Sequence, residues 1–454
     1  MMLNEMIKDK KKIIQIRKEG CSLQDLQEQV TPSSRNFYEG FQGSKLSTIF
    51  ECKKISPSQG VLSQDYDPFK LANSYEPFSQ CISVVTDQKY FGGNLTDLQK
   101  VSRAVQNPVL QKDIILEPYQ IYEGRKYGAD AVLLMLSVLE DNEYQNCCKV
   151  AHELNMGVLT EVYTQSECER AIKLGAKVIL INNRNLLTMQ VDLGKTELLA
   201  PLIPNHIKVI SGSGIQSHAD IRKLTPFVDG FLIGSCCVES NEVDFKVRSL
   251  VFGRVKICGL NEVKAANLAY LSGATYGGLN CIPHSKRFIS KEKASLLAKT
   301  VPLKWVGLFA NENAKVISQF VTELGLDAVQ LHGDETIEEI KNIKSKLPFE
   351  CALWVAKTLD ELPLFQDFEF IDKLLLDTKV DNQFGGTGKS FNWDGLKQVE
   401  NKSKLILAGG INVNNIRAAE AIGLFALDVC SGVESMPGKT DLKKLKTLFE
   451  VLTF

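Results

Sequence analysis

The sequence predicts an α/β chain of two tandem (β/α)8 barrels, the TIM-barrel architecture, covering residues 1–252 and 253–454. Three observations lead there. Short β-type runs alternate with helix-length segments along the whole chain, the pattern of βα units that build parallel sheets. These runs come as eight and then another eight, each series filling the roughly 200 to 250 residues of one closed barrel. Near Leu250 to Arg254 the second series starts without a Pro-rich or Gly/Ser-rich linker, which predicts a short junction.

In order, Met1 to Gly20 is basic through Lys8 to Lys12 and carries Glu5 and Asp9 but no apolar stretch. It reads as an amphipathic helix rather than a signal peptide, a transit peptide being the other reading. The first strands are Thr48 to Cys52, Cys81 to Thr86, Val109 to Asp113, Ala131 to Leu136, Gly157 to Val162, Val178 to Asn182, Lys208 to Ser213 and Gly230 to Ser235. The second series is Val255 to Gly259, Tyr276 to Asn280, Lys304 to Phe309, Ala328 to Gly333, Cys351 to Ala356, Lys373 to Asp377, Lys404 to Gly409 and Phe425 to Cys430.

Composition excludes several classes. With 53 Lys plus Arg against 54 Asp plus Glu, no polycationic surface exists for nucleic acid. The longest strongly apolar run, Ala131 to Leu139, is broken by Ser137 and falls short of the roughly 18 residues of a membrane span. Twelve cysteines are scattered without a C-x-x-C pair, so neither a disulfide framework nor a zinc site is expected, and a reduced, cytosolic compartment is.

Catalytic groups of such barrels stand at the C-terminal strand ends, with phosphate commonly bound after strands seven and eight. Ser211 to Gly214 with Gly234-Ser235, and Ala408 to Ile411 with Ser431-Gly432, place small residues there in both halves. They are either turn glycines or backbone cradles for an anion. Alternation on the first strand puts Ile49, Glu51 and Lys53 on one face, while Lys112, Glu161 and Asn182 end strands three, five and six. These charges are either solvated strand ends or a group that shifts its own pKa values and divides acid and base duties. In the second half, Cys258 and Asp377 end strands one and six, a thiolate and a carboxylic acid across one mouth.

Residues 1 to about 252 resemble indole-3-glycerol-phosphate synthase. The motifs are Glu51-Cys52-Lys53-Lys54-Ile55-Ser56-Pro57-Ser58, Thr86 to Phe91, Lys112-Asp113, Leu159 to Val162, Ile181-Asn182-Asn183-Arg184 and Gly234-Ser235, with Arg35 to Tyr38 upstream. The resemblance implies closure of an indole ring with loss of carbon dioxide and water and without cofactor. It implies Lys112 as general acid, Glu51, Lys53 and Glu161 in the later proton transfers, and Lys53 also against the anthranilate carboxylate. Asn182 would orient a hydroxyl. Ser56, Phe91, Arg184, Ser213, Gly234 and Ser235 would contact substrate, Phe91 either as an aromatic wall or as core. The sequence departs from the family at Leu180 for Gly, Gly212 for Glu, Ile114 for an aromatic and Asn185 for Asp. An intruding Leu180 predicts a reduced synthase.

Residues 253 to 454 resemble phosphoribosylanthranilate isomerase through Lys256 to Gly259, Tyr276 to Gly278, Ser285 to Arg287, Gly307 to Phe309, Gln330 to Gly333, Leu376-Asp377, Gly385 to Gly388, Leu407 to Ile411 and Ser431 to Glu434. This implies a cofactor-free Amadori rearrangement with Asp377 as the acid that opens the ring and Cys258 as the base. Arg287 would hold the anthranilate carboxylate, although Lys286 replaces the usual Pro and Asn280-Cys281 an apolar and aromatic pair. Gln330, His332, Gly386, Gly409, Gly410, Ser431 and Gly432 would complete the substrate site. His332 is equally readable as satisfied by its neighbours, Gly385 to Gly388 as a mobile phosphate loop or a turn, and Lys256 as lowering the thiol pKa or as a structural pair.

Together these features imply a monomeric, cytosolic, two-reaction enzyme of tryptophan biosynthesis acting on anthranilate-bearing phosphosugars, with no metal, nucleic-acid or membrane partner. The alternatives are an enzyme with only the isomerase half active and the first barrel a scaffold, and a phosphate-metabolite-binding protein without turnover. Intact Lys112, Glu161, Cys258 and Asp377 argue against both.

Overall fold

The structure, a computed structural model, describes residues 2–43, 45–358, 369–377, 379–380, 383–384, 393, 395–396, 399 and 401–453. The chain divides into two compact units, the first ending at Val247 and the second spanning Arg248–Thr453, with the division inside the helix Val243–Phe252.

The first unit is a closed parallel barrel of β1 (Ser47–Cys52), β2 (Cys81–Val85), β3 (Val109–Lys112), β4 (Ala131–Met135), β5 (Gly157–Val162), β6 (Val178–Asn182), β7 (Lys208–Gly212) and β8 (Gly230–Ile233). β1 closes the ring by pairing with β2 (Ile49 opposite Cys81) and with β8 (Ser47 opposite Gly230). Strand residues are buried on both faces, as a parallel sheet under helices requires. Alternate side chains fill the interior: Ile49, Leu110, Leu133, Leu159, Leu180, Ile210 and Leu232 form one apolar cluster with Phe37 and Phe41. Those two rings come from the short helix Phe37–Phe41 and reach the start of β5, where a β-carbon on Gly157 would lie 2.3 Å from the Phe37 ring. One end of the barrel is thus plugged by these rings.

The basic N-terminal segment forms the helix Met2–Gly20. Its buried stripe Met6, Lys10, Ile14 follows the i, i+4 spacing of an amphipathic face, with a lysine in the middle. That ammonium lies between Asp87 (2.7 Å) and Asp113 (2.6 Å), the residues that follow the ends of β2 and β3.

The second unit repeats the architecture with β9 (Val255–Cys258), β10 (Tyr276–Asn280), β11 (Lys304–Phe309), β12 (Ala328–Leu331), β13 (Ala352–Lys357), β14 (Lys373–Leu376), β15 (Leu405–Leu407) and β16 (Ala426–Val429), closed by pairing of β9 with β16. Every run read as a strand from the sequence is one, with ends within two residues. Among the described residues no helix is long and apolar enough to cross a membrane. All twelve cysteines are free thiols.

Candidate active sites

A cavity of about 440 Å³ opens at the C-terminal end of the first barrel, lined by Glu51, Lys53, Lys112, Glu161 and Asn182 among others. The period-two alternation of β1 sets Glu51 directly above Ile49, so a carboxylate tops the apolar interior. Glu51 bridges two cations: Oε1 is 3.0 Å from Lys53 Nζ and Oε2 is 3.9 Å from Lys112 Nζ. Lys112 Nζ lies 3.7 Å from Glu161 Oε2, and Asn182 Nδ2 donates to Glu161 Oε1 at 3.0 Å. The five groups read from strand ends therefore form one cluster of alternating charge.

The cluster fixes protonation. Burial by itself would depress Lys112, but Glu161 and then Glu51 outweigh it and hold the ammonium above the ordinary lysine range. For Glu51, burial would raise the carboxyl, and Lys53 and Lys112 bring it below the usual carboxylate range. A charged acid beside a charged carboxylate at neutral pH is what divided proton transfer needs.

Around them, Ser56, Phe91, Arg184, Ser213, Gly234 and Ser235 all line the same cavity. Arg184 Nη1 donates to Ser58 Oγ at 2.7 Å, tying the loop after β6 to the hairpin after β1. Ser213 and Gly214 both have left-handed backbones (φ 65° and 85°), turning the chain sharply at the end of β7. Gly234 has no room for a side chain, since a β-carbon would sit 2.9 Å from Glu51 Oε1.

Leu180 and Gly212 are complementary. Leu180 belongs to the interior cluster and also lines the cavity, and a β-carbon on Gly212 would lie 2.8 Å from its Cδ1. The bulk on β6 thus occupies the space vacated on β7. Gly212→Glu alone should overpack and cost about 1–3 kcal/mol, and Leu180→Gly alone should leave a cavity costing about 2–5 kcal/mol. In Leu180→Gly/Gly212→Glu the penalties should fall short of additive, and synthase kcat should exceed that of either single variant and the parent. Thermal melts and synthase assays across the four-member cycle check this; purely additive losses would refute the complementarity.

In the second barrel, Cys258 ends β9 next to Gly259, whose left-handed backbone (φ 76°) brings the turn against Arg287. The Cys430 thiol first and the Lys256 ammonium next overcome burial and hold the Cys258 thiol below its ordinary range, while Cys430 is pushed well up. Lys256 is also a structural pair, its Nζ 2.9 Å from Asp428 Oδ2 and donating to Gln330 Oε1 at 2.7 Å.

Gln330 is fully buried between Lys256 and His332, whose Nδ1 lies 3.0 Å from its Nε2. That ring faces Asp377, with Nε2 3.6 Å from Oδ2. Arg287 presents Nε and Nη2 to Glu434 at 2.8 and 2.7 Å, which raises its pKa further. Gly409 and Gly410 are both left-handed (φ 81° and 67°), and a β-carbon on Gly432 would strike the Ile411 carbonyl oxygen. The turns after β15 and β16, with Ser431, therefore meet backbone to backbone as a small-residue cradle. Gly386, with the rest of 385–388, lies outside the described residues.

Sequence reasoning passed over Lys10, Asp87, Asp113, Cys430 and Glu434 as site groups. The stripe Met6, Lys10, Ile14 carried a signal for the first, because a lysine on an apolar helical face needs a buried partner.

Residues 3–250 match the family of indole-3-glycerol phosphate synthase, and residues 255–451 match that of N-(5'phosphoribosyl)anthranilate (PRA) isomerase. The chain is 43% identical over 452 residues to the tryptophan biosynthesis protein TrpCF of Vibrio cholerae serotype O1, covering 99% of this chain and 96% of that protein. It is 41% identical to the protein of the same name from Salmonella typhi, covering 99% of each. The crystal structure of phosphoribosyl anthranilate isomerase from Thermus thermophilus is 31% identical and covers 44% of this chain and 98% of that one, with a TM-score of 0.40.

Proposed function

Since this chain belongs to the family of two-domain tryptophan-biosynthesis enzymes that join indole-3-glycerol phosphate synthase to phosphoribosylanthranilate isomerase, we propose how its side chains divide the two reactions. The C-terminal barrel isomerises N-(5'-phosphoribosyl)anthranilate to 1-(2-carboxyphenylamino)-1-deoxyribulose 5-phosphate. The N-terminal barrel converts that product to indole-3-glycerol phosphate with loss of carbon dioxide and water.

The observation that carries the synthase assignment is Lys112 suspended between Glu51 and Glu161 at the cavity mouth. Lys112 gives its proton to the ribulose carbonyl oxygen as the aromatic carbon attacks, stabilising the charge that develops there. Lys53 meets the anthranilate carboxylate, Glu51 and Glu161 move protons in the dehydration, and Asn182 orients a hydroxyl. Ser213, Gly234 and Ser235 take the phosphate; Ser56, Phe91 and Arg184 line the rest.

In the isomerase mouth, Asp377 protonates the furanose oxygen and Cys258 removes the proton from the sugar carbon of the resulting Schiff base. Arg287 receives the anthranilate carboxylate. Gly409, Gly410, Ser431 and Gly432 cradle the phosphate, and Gly386 is assigned to the same group. The protein acts as a cytosolic monomer on these phosphosugars, without nucleic acid or membrane. Supplying the full chain with the ribosylamine alone should yield indole-3-glycerol phosphate. Accumulation of the ribulose intermediate without ring closure would leave only the isomerase half active.

A further inference from the structure

The buried polar chain under the isomerase mouth fixes the state of a histidine. Lys256 has only protons to give, so the end of the Gln330 amide 2.7 Å from its Nζ must be the oxygen. Asp428 holds the ammonium from its other side at 2.9 Å. The Gln330 NH2 group is thereby turned toward His332 Nδ1 at 3.0 Å. An NH2 group only donates, so Nδ1 accepts and carries no proton. Burial and the Lys256 charge hold the His332 pKa down, to about 4, and the ring is neutral at pH 7. A neutral imidazole with a bare Nδ1 has its one N–H on Nε2, the atom 3.6 Å from Asp377 Oδ2.

We propose that His332 is a positioning residue for the isomerase acid: Lys256 and Gln330 lock its Nε2–H tautomer, and that N–H receives the Asp377 carboxylate as it forms. This rests on Asp377 being the acid. When Asp377 gives its proton to the ring oxygen, the carboxylate left behind draws the Nε2–H in from 3.6 Å to hydrogen-bond length. His332 keeps its proton throughout, so the transfer stays between Asp377 and substrate.

The test is Gln330→Glu in the full chain. A carboxylate accepts from Lys256 and from the ring alike, so it should pull a proton onto His332 Nδ1. With 15N-labelled histidine, two-bond proton–nitrogen spectra should show His332 of the parent bare at Nδ1 and protonated at Nε2, and protonated at Nδ1 in the variant. The signal missing from His332→Gln identifies it among the five histidines. Isomerase kcat should fall about tenfold to a hundredfold, the scale of one charge-assisted hydrogen bond, with KM little changed and synthase turnover intact. His332→Gln, which can place an N–H near the Nε2 position, should keep more activity than His332→Asn or His332→Ala, an ordering that does not depend on Gln330→Glu folding.

A parent His332 protonated at Nδ1, or a tautomer unmoved in a folded Gln330→Glu, would overturn the inference while leaving the acid assignment standing. Near-normal turnover by Asp377→Asn would instead overturn the acid assignment, and with it the role given to the N–H.

Discussion

Lys112→Ala should abolish indole closure and leave the isomerase reaction of the same chain at full rate. Lys112 is the ammonium that bridges both carboxylates of the mouth, at 3.9 Å from Glu51 and 3.7 Å from Glu161. Lys53 is bound to the other oxygen of Glu51 at 3.0 Å and cannot take its place at Glu161. The variant loses the proposed proton donor, worth about 10²- to 10⁴-fold, and leaves Glu161 with Asn182 but without its cation. Synthase turnover on 1-(2-carboxyphenylamino)-1-deoxyribulose 5-phosphate is the measurement, and turnover comparable to the parent would sink the assignment. The pH profile follows from the same contacts. Glu51 is lowered and Lys112 raised, so these groups keep their working charges across neutrality. The acid limb due to Glu51 should fall below the usual carboxylate range, and the alkaline limb due to Lys112 above the usual lysine range.

Cys258→Ser and Asp377→Asn should each reduce isomerase turnover by roughly 100-fold or more, the scale expected for a general acid or base. Serine keeps the size of the thiol, yet its hydroxyl is far less acidic than a thiol already held low by Cys430 and Lys256. The proton-abstracting species therefore nearly vanishes. Asparagine keeps the shape of Asp377 and cannot donate the ring-opening proton. The proposed base and acid come from the ends of β9 and β14 and cannot substitute for one another. Binding of a product analogue and synthase turnover should stay near the parent values in both variants. Near-normal turnover in Cys258→Ser would show another group to be the base, and loss of both activities together would point to misfolding.

The barrels were legible because parallel strands buried on both faces leave compact apolar runs whose count survives in one sequence. Glu51, Lys112, Glu161 and Asn182 were legible for a related reason: a strand end is a place in space as well as in sequence, so residues far apart along the chain could be set around one mouth. Pairing was not legible. Lys256 and Asp428 come from neighbouring strands, but which oxygen meets which proton follows from register and torsion angles, which a strand pattern does not carry. Gln330 entered the site through the resemblance alone, and its depth between Lys256 and His332 is a matter of side-chain placement that the motif does not carry. That Leu180 and Gly212 meet was likewise not legible, since they approach across the β6–β7 pair, where a β-carbon on Gly212 would stand 2.8 Å from Leu180 Cδ1.

The lysine inside the N-terminal helix bears on how the first barrel is assembled in time. A single amphipathic helix is marginal in water, and the charged and polar groups of Met2–Gly20 find partners far down the chain: Asp9 with Lys89 and Tyr90, 80 and 81 residues away, and Arg17 with Glu123, 106 away. The helix therefore cannot complete these pairs until the third βα unit exists, and Lys10 has no buried seat before Asp87 and Asp113 have been brought side by side. An uncompensated ammonium in that apolar stripe is strongly unfavourable, whereas one between two carboxylates is tolerated. The helix is in this sense a latch: its buried lysine is accommodated only where the ends of two strands of a correctly wound barrel stand together.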